Sequence, residues 1–349
     1  MLKATALAVL TALIPVSVVS AEVPSIIGSP TIDSPMLLDW PTSFPPATPD
    51  LTEPTSNRIF DLHMTMGRRD CEAIDLILST AGNYHMALGQ LWYEHLLPST
   101  PSIESYYYTT SPPISPEQVT NETLTFANVR LNCRPHVAVG PNKLVTRLQE
   151  LGVTRGEPTP FIRNRGNVML VKRGNPKNIQ TIWDLGRPDV KVVTSNPDTE
   201  PGSFGNYSGS IYNIAASDPN PPDPSFTAEN LFDSIFNADT GKWLSGARIH
   251  HREVPHSIAF GDADVGLMFY HLALFAKETF PDEFDIVPLG GTAENPQPLP
   301  GNRVATLFYI EVGTELSETQ EQSVDSLVEA FNSPIFTDIL ASFGLDRPE

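Results

Sequence analysis

Basic residues are scarce in this chain: 22 lysines and arginines stand against 41 aspartates and glutamates, a formal net charge of −19 at pH 7. That balance opposes long-range attraction to nucleic acid and to anionic membrane surfaces, so neither is expected as a partner. A small anionic ligand is not excluded, because a buried site can be built from neutral donors and backbone N–H groups. Cysteine is rarer still, with only Cys71 and Cys133. In an exported chain two cysteines suggest one disulfide, worth about 4 kcal/mol on the chain-entropy model, the alternative being two unrelated buried thiols. Beyond the N-terminus no segment offers about 18 uncharged apolar residues, so none is expected to span a membrane. A G-x-S-x-G nucleophile turn is also missing, and the glycine-rich stretch Gly202 to Gly209 lacks the Lys-Ser/Thr ending of a phosphate-binding loop. No enzyme activity and no cofactor is therefore expected; a secreted hydrolase assembled from distant Ser, His and Asp residues stays open as an alternative.

What is present begins with Lys3, an apolar and small run through Ala12 to Val19, and the small-residue end Val19-Ser20-Ala21. This is the pattern of a secretory signal peptide over residues 1–21, cleaved before Glu22, and it implies a soluble secreted or periplasmic protein. Residues 22–55 then carry eight prolines and neither a helical nor a strand period, which predicts a disordered or extended leader. The 40% hydrophobic and 18% charged residues of the whole chain are an ordinary globular balance, and 349 residues suffice for two lobes.

From there short apolar runs alternate with helical periods. Ala73 to Leu78 reads as a buried strand, Ser79 to Asn83 as turn and cap, and Tyr84, Leu88, Leu91, Trp92 and His95 as one face of a helix. Ile103 to Thr109, Val168 to Lys172 and Val190 to Thr194 read as further strands, and Asn142 to Leu151 as a helix. Ser317 with Gln320 forms a capping-box pattern ahead of Val324, Leu327, Val328 and Phe331. Such alternation favours an α/β fold with largely parallel sheets. Residues 218–225 and 290–301 are Pro- and Gly-rich and should be surface loops.

Chemistry concentrates in two kinds of place. Polar loops are expected after three strands, at Ser79 to Asn83, Thr109 to Ser111 and Asn196 to Ser203, where unpaired N–H groups and helix dipoles converge on a ligand in open sheets. The plainer reading is that these residues only cap helices and turns. Four of the eight histidines, His250, His251, His256 and His271, fall between positions 250 and 271. The segment from Ile249 reads as strand-like, and as a ligand site its Arg252 can hold an anion bidentately while His251 donates a hydrogen bond. Alternatively His250, His251, Glu253 and His256 supply metal ligands, although His250 and His251 would then face opposite ways. A third reading has Arg252 and Glu253 merely bracing the wall of a cleft. Glu200 and Glu253 need cationic partners if the ligand is an anion, since one bare carboxylate at about 4 Å repels it by about 4 kcal/mol at an effective dielectric of 20.

The ordered series A-G-N-Y-H from Ala81, Y-Y-T-T-S-P-P from Tyr107, G-N-P-K-N-I-Q-T-I-W-D-L-G-R-P-D-V-K-V from Gly174, S-N-P-D-T-E from Ser195, I-H-H-R-E-V-P from Ile249 and G-D-A-D-V-G from Gly261 resembles the type 2 periplasmic solute-binding proteins. Within them it is similar to the molybdate-binding-like branch of ABC transporter substrate-binding proteins, over roughly Ala73 to Leu345. The resemblance implies an α/β, two-lobed fold: residues 56–166 begin lobe I, 167–290 form lobe II, and 291–349 return to lobe I with C-terminal helices. It further implies a monomer that captures a small molecule or an oxyanion such as molybdate or tungstate by hinge closure, for an ABC permease. Its anion-contacting loop matches Ser79 and Thr80, and its later ligand-wall positions fall near Thr110, Glu200, Arg252 and Tyr270; Asn83, His251 and Glu253 join them as expected ligand residues from the polar loop and the histidine cluster themselves. The proline-rich leader, the cysteine pair and the His-His-Arg-Glu segment depart from the molybdate pattern, which leaves a metal or small organic ligand as the alternative.

Overall fold

Strands rich in Val, Ile, Leu and aromatic residues, bracketed by helices, assemble two six-stranded sheets. They are seen in a computed structural model that describes residues 22–29, 31–32, 74–100, 105–110, 114–126, 129–246, 250–313 and 315–348. The expected signal peptide and Cys71 lie outside the described residues. The strands are β1 (Thr31–Ile32), β2 (Leu76–Ala81), β3 (Ser105–Thr110), β4 (Leu124–Phe126), β5 (Val129–Leu131), β6 (Val137–Pro141), β7 (Thr154–Asn164), β8 (Asn167–Lys172), β9 (Val192–Thr194), β10 (Trp243–Ser245), β11 (Val265–Phe269), β12 (Phe284–Val287), β13 (Thr306–Val312) and β14 (Leu345–Asp346). The helices are α1 (His85–Gln90), α2 (Leu97–Ser99), α3 (Pro116–Thr120), α4 (Asn142–Glu150), α5 (Pro201–Ser217), α6 (Ala228–Phe236), α7 (His250–Phe260), α8 (Tyr270–Thr279), α9 (Glu318–Asn332) and α10 (Pro334–Ser342).

Lobe I is built on the sheet β14-β7-β13-β6-β2-β3 and lobe II on β1-β10-β9-β11-β8-β12. The sheets are mixed rather than largely parallel. β2 runs parallel to β3 and β6, and β9 parallel to β10 and β11, whereas β7, β8, β12 and β13 pair antiparallel with their neighbours. These last four are the strands through which the chain passes between lobes: β7 ends at Asn164 in one sheet and β8 begins at Asn167 in the other, and β12 and β13 make the return. Gly166 turns the corner at φ +76°, where a side chain would be strained.

The two crossings are stitched side by side. Asn302 Oδ1 accepts from the Asn167 N–H (2.9 Å) and Asn302 Nδ2 donates to the Asn167 carbonyl (2.8 Å). Asn164 Oδ1 accepts from the N–H of Ala305 (2.9 Å) and of Gly166 (3.1 Å). Each lobe has its own core. Leu76, Leu78, Leu88, Trp92, Phe161 and Phe331 fill one face of the lobe I sheet and Ile77, Val145, Leu148 and Ile310 the other. Lobe II packs around Val168, Leu170, Tyr207, Phe232, Leu267 and Phe284, and Met86, carried by α1 of lobe I, joins that core.

Three expectations change. β2 continues past Leu78 to Ala81, so Ser79 and Thr80 are strand residues and not a turn. Ladders on both sides hold them there, Ser79 opposite Tyr108 and Ala138, and Thr80 opposite Thr109. The segment expected to be extended at His250 to Pro255 is instead α7. Finally, Thr31 and Ile32, within the predicted leader, form a strand parallel to Leu244 and Ser245 at the edge of lobe II. Cys133 is half-buried against the second lobe I core and is not a free thiol. No helix among the described residues is long and apolar enough to cross a membrane.

Candidate functional site

Of the residues expected to bind a ligand, Asn83, Glu200 and His251 lie near the starts of α1, α5 and α7. α5 opens after Glu200, whose carboxylate is 4% exposed and turned onto the start of α7. Glu200 Oε2 accepts from the His250 backbone N–H (2.9 Å) and from Nδ1 of its ring (3.0 Å), so it satisfies one of the unpaired donors at that helix end. With the proton fixed on Nδ1, Nε2 of His250 accepts from the Tyr207 hydroxyl at 2.7 Å. Glu200, His250 and Tyr207 thus form a closed buried relay. It orients the first turn of α7 and occupies both ring nitrogens of His250.

His251 is the next residue along α7, buried, and both of its ring nitrogens lack a hydrogen-bond partner among the described residues. Its ring centroid lies 6.0 Å from that of His85, which comes from α1 of lobe I, and 5.3 Å from that of His250. Close by, Nε2 of His271 on α8 donates to the Asn83 carbonyl at 2.8 Å, a hydrogen bond from lobe II to lobe I, and its ring stacks on Tyr84 at 4.7 Å. The lobes therefore meet across a seam of imidazoles. Burial pushes His85 down to about 4 and His271 to about 3, and it holds His251 well below the ordinary histidine range. The Arg252 charge adds to the depression at His85 and His251, so these rings are neutral at pH 7.

Three hydroxyls share the partnerless state: Ser79 and Thr80 near the carboxyl end of β2, and Ser195 just past β9. Buried hydroxyls without partners cost about 1 to 3 kcal/mol each, which makes them unusual in a settled core. Strand alternation turns Ser79 and Thr80 to opposite faces of the sheet, so the two do not form one wall. Neither Ser79 nor Ser195 bonds to a histidine, and no serine nucleophile is activated there.

Of the remaining expected positions, Asn83 lies at the seam through its carbonyl, and Thr110 ends β3 opposite Ala81. Arg252 is half-buried on α7, and Glu253 is buried with Oε2 packed against Gly246. Tyr270 is elsewhere: its hydroxyl donates to the Glu294 carbonyl at 3.1 Å, and it lines a cavity of about 450 Å³ with Arg165, Lys277 and Glu278. Its neighbour His271 takes the place at the seam. The metal alternative also fails on geometry. Along a helix His250 and His251 diverge by about 100°, and His256 stacks on Phe260 at 4.6 Å. Among the described residues no three His, Cys, Asp or Glu side chains are grouped to hold a metal ion. Sequence reasoning passed over His85, Ser195 and Tyr207 as site residues. The only signal for His85 was its place closing the A-G-N-Y-H motif.

Residues 135–344, more than half of the chain, match the family model described as bacterial extracellular solute-binding protein. The chain belongs to that family. No curated protein matches it significantly. Solved structures of the same fold include the sulfate-binding protein SubI of Mycobacterium tuberculosis, with 14% identity, a TM-score of 0.50, and 78% of this chain and 86% of that one covered. AgtB of A. tumefaciens, in complex with agropinic acid, shares 9% identity and a TM-score of 0.52 over 80% and 84% of the two chains. Iron-bound HitA of Pseudomonas aeruginosa shares 13% and 0.51 over 77% and 84%. The chain is thus a bacterial extracellular solute-binding protein with the type 2 periplasmic fold.

Proposed function

We propose that this solute-binding protein closes its lobes on a small oxyanion, of which molybdate and tungstate are the leading candidates, and passes it as a monomer to an ABC permease. The observation that carries the reading is His251, a buried imidazole with both nitrogens unpartnered, facing His85 across the lobe seam. In this proposal His251 and Arg252 hold the ligand from lobe II, Ser195 adds a hydroxyl at the end of β9, and the β2 and β3 ends with Asn83 and Thr110 supply the lobe I wall. Hinge points at about residues 166 and 290 divide the lobes. In this proposal Glu200 and Glu253 position α7 without touching the ligand, and the Arg252 charge offsets the repulsion their carboxylates exert on an anion. Solutes as different as sulfate, agropinic acid and iron are held by proteins of this fold, so the fold does not choose the ligand. Export also fits a Cys71–Cys133 disulfide, which a thiol titration of the unfolded, unreduced chain would count out if it found two thiols.

The test is a thermal-shift panel of molybdate, tungstate, sulfate, phosphate, zinc and small carboxylates, followed by titration of the best ligand. Hydrogen bonds to a charged ligand contribute about 1.5 to 3 kcal/mol, so His251→Ala should weaken oxyanion binding at least tenfold. Stabilisation by zinc alone, abolished by a chelator, would sink the proposal.

A further inference from the structure

The segment ahead of lobe I does not belong to lobe I. It lies along the outer edge of lobe II, clasped by one side chain. Asn237, the residue that ends α6, accepts through Oδ1 from the N–H of Ile27 (2.5 Å) and of Gly28 (3.1 Å), and its Nδ2 donates to the Ser25 carbonyl (3.3 Å). Asp233 Oδ1 holds the same Nδ2 at 2.7 Å, which fixes the amide orientation. Val23 and Ile26 turn inward against the lobe II core, while Ile27 between the contacts points out, 82% exposed. At Gly28 the backbones approach so closely that a Cβ would overlap the Phe236 carbonyl oxygen. Beyond it, Thr31 and Ile32 pair in parallel with Leu244 and Ser245, and β10 would otherwise be the unpaired edge of its sheet.

These features are a recognition code: an extended backbone, apolar residues three apart, a glycine two further on, and a free strand edge to finish on. We infer that the end of α6 and the edge of β10 form a peptide-binding groove of lobe II, filled in cis by the chain's own residues 22–32. Addition of a strand to an open edge, with side-chain pockets setting specificity, is a general mode of peptide capture. None of the groove contacts named above involves an imidazole of the seam.

The experiment uses the full chain carrying Gly28→Val, which leaves the groove intact and blocks only its occupant. Amide hydrogen exchange over Trp243 to Ser245 should quicken at least tenfold. A synthetic peptide of residues 22–32 should then bind the variant saturably and restore protection, and should not bind the wild-type chain, whose groove is full. Adding Asn237→Ala to the Gly28→Val chain should weaken the peptide at least tenfold. Unchanged exchange in Gly28→Val, or equal binding of the peptide to both chains, would overturn the inference. So would wild-type protection that rises with protein concentration, which would give the groove to a second copy.

Discussion

The histidines at the seam make the protein's stability depend on pH in a direction fixed by burial. His85 and His271 are depressed to about 4 and about 3, mainly because desolvation disfavours the imidazolium. His136, inside lobe I, is lowered to about 4 for the same reason, and its Nδ1 accepts from the Ile77 N–H at 3.1 Å, a bond that protonation would remove. The unfolded chain takes up protons at the ordinary histidine value near 6.5, so below it the unfolded state binds more protons than the native one. Stability is therefore complete above about pH 6.5 and is lost as pH falls towards 4, by up to about 1.4 kcal/mol per pH unit for each such ring. His271→Gln keeps a donor for the Asn83 carbonyl and has nothing to titrate. Its unfolding free energy, from urea melts between pH 7.5 and 4.5, should fall with a slope shallower by close to one proton. An unchanged slope would mean that His271 already protonates in the native state.

At the scale of elements, the C-terminal helix is the most legible part of the chain. Ser317 Oγ accepts from the Gln320 N–H (3.3 Å), and Gln320 Oε1 accepts from the Ser317 N–H (2.9 Å), as the capping-box spacing requires. Gln320 Nε2 goes further and donates to the Ile74 carbonyl at 3.0 Å, which ties α9 to the strand side of lobe I. Ser317→Ala should then cost about 1 kcal/mol, as caps do, and Gln320→Ala more, because it also leaves a buried carbonyl without its donor. Chemical denaturation of the two variants checks the order, and equal losses would deny the Ile74 bond any weight. α4 was equally readable from its period. α7 was not. Residues from His250 to Ile258 are almost all buried, so the helix has no polar face to give its period away, and Pro255 removes the N–H that His251 would have received. β2 was cut short because Ser-Thr-Ala-Gly has turn composition, whereas two neighbouring strands extend it. The seam itself was out of reach of local reading, since Asn83 and His271 are 188 positions apart.

The whole molecule sets a field against the ligand it is proposed to hold. With −19 formal charges, an oxyanion approaching the open cleft is repelled at long range, and only the last few ångströms offer the donors of α7 and the strand ends. Under the proposed lobe closure, capture must then rest on slowed dissociation rather than on fast electrostatic encounter. Screening reaches about 30 Å at 0.01 M salt and about 8 Å at 0.15 M, so added salt should relieve the repulsion while leaving the buried contacts nearly untouched. The association rate of molybdate, followed by stopped-flow tryptophan fluorescence, should accordingly rise severalfold between those two ionic strengths, with the dissociation rate little changed. An association rate that instead fell with salt is the behaviour of a cation drawn to an acidic protein, and it would count against an oxyanion as the natural ligand.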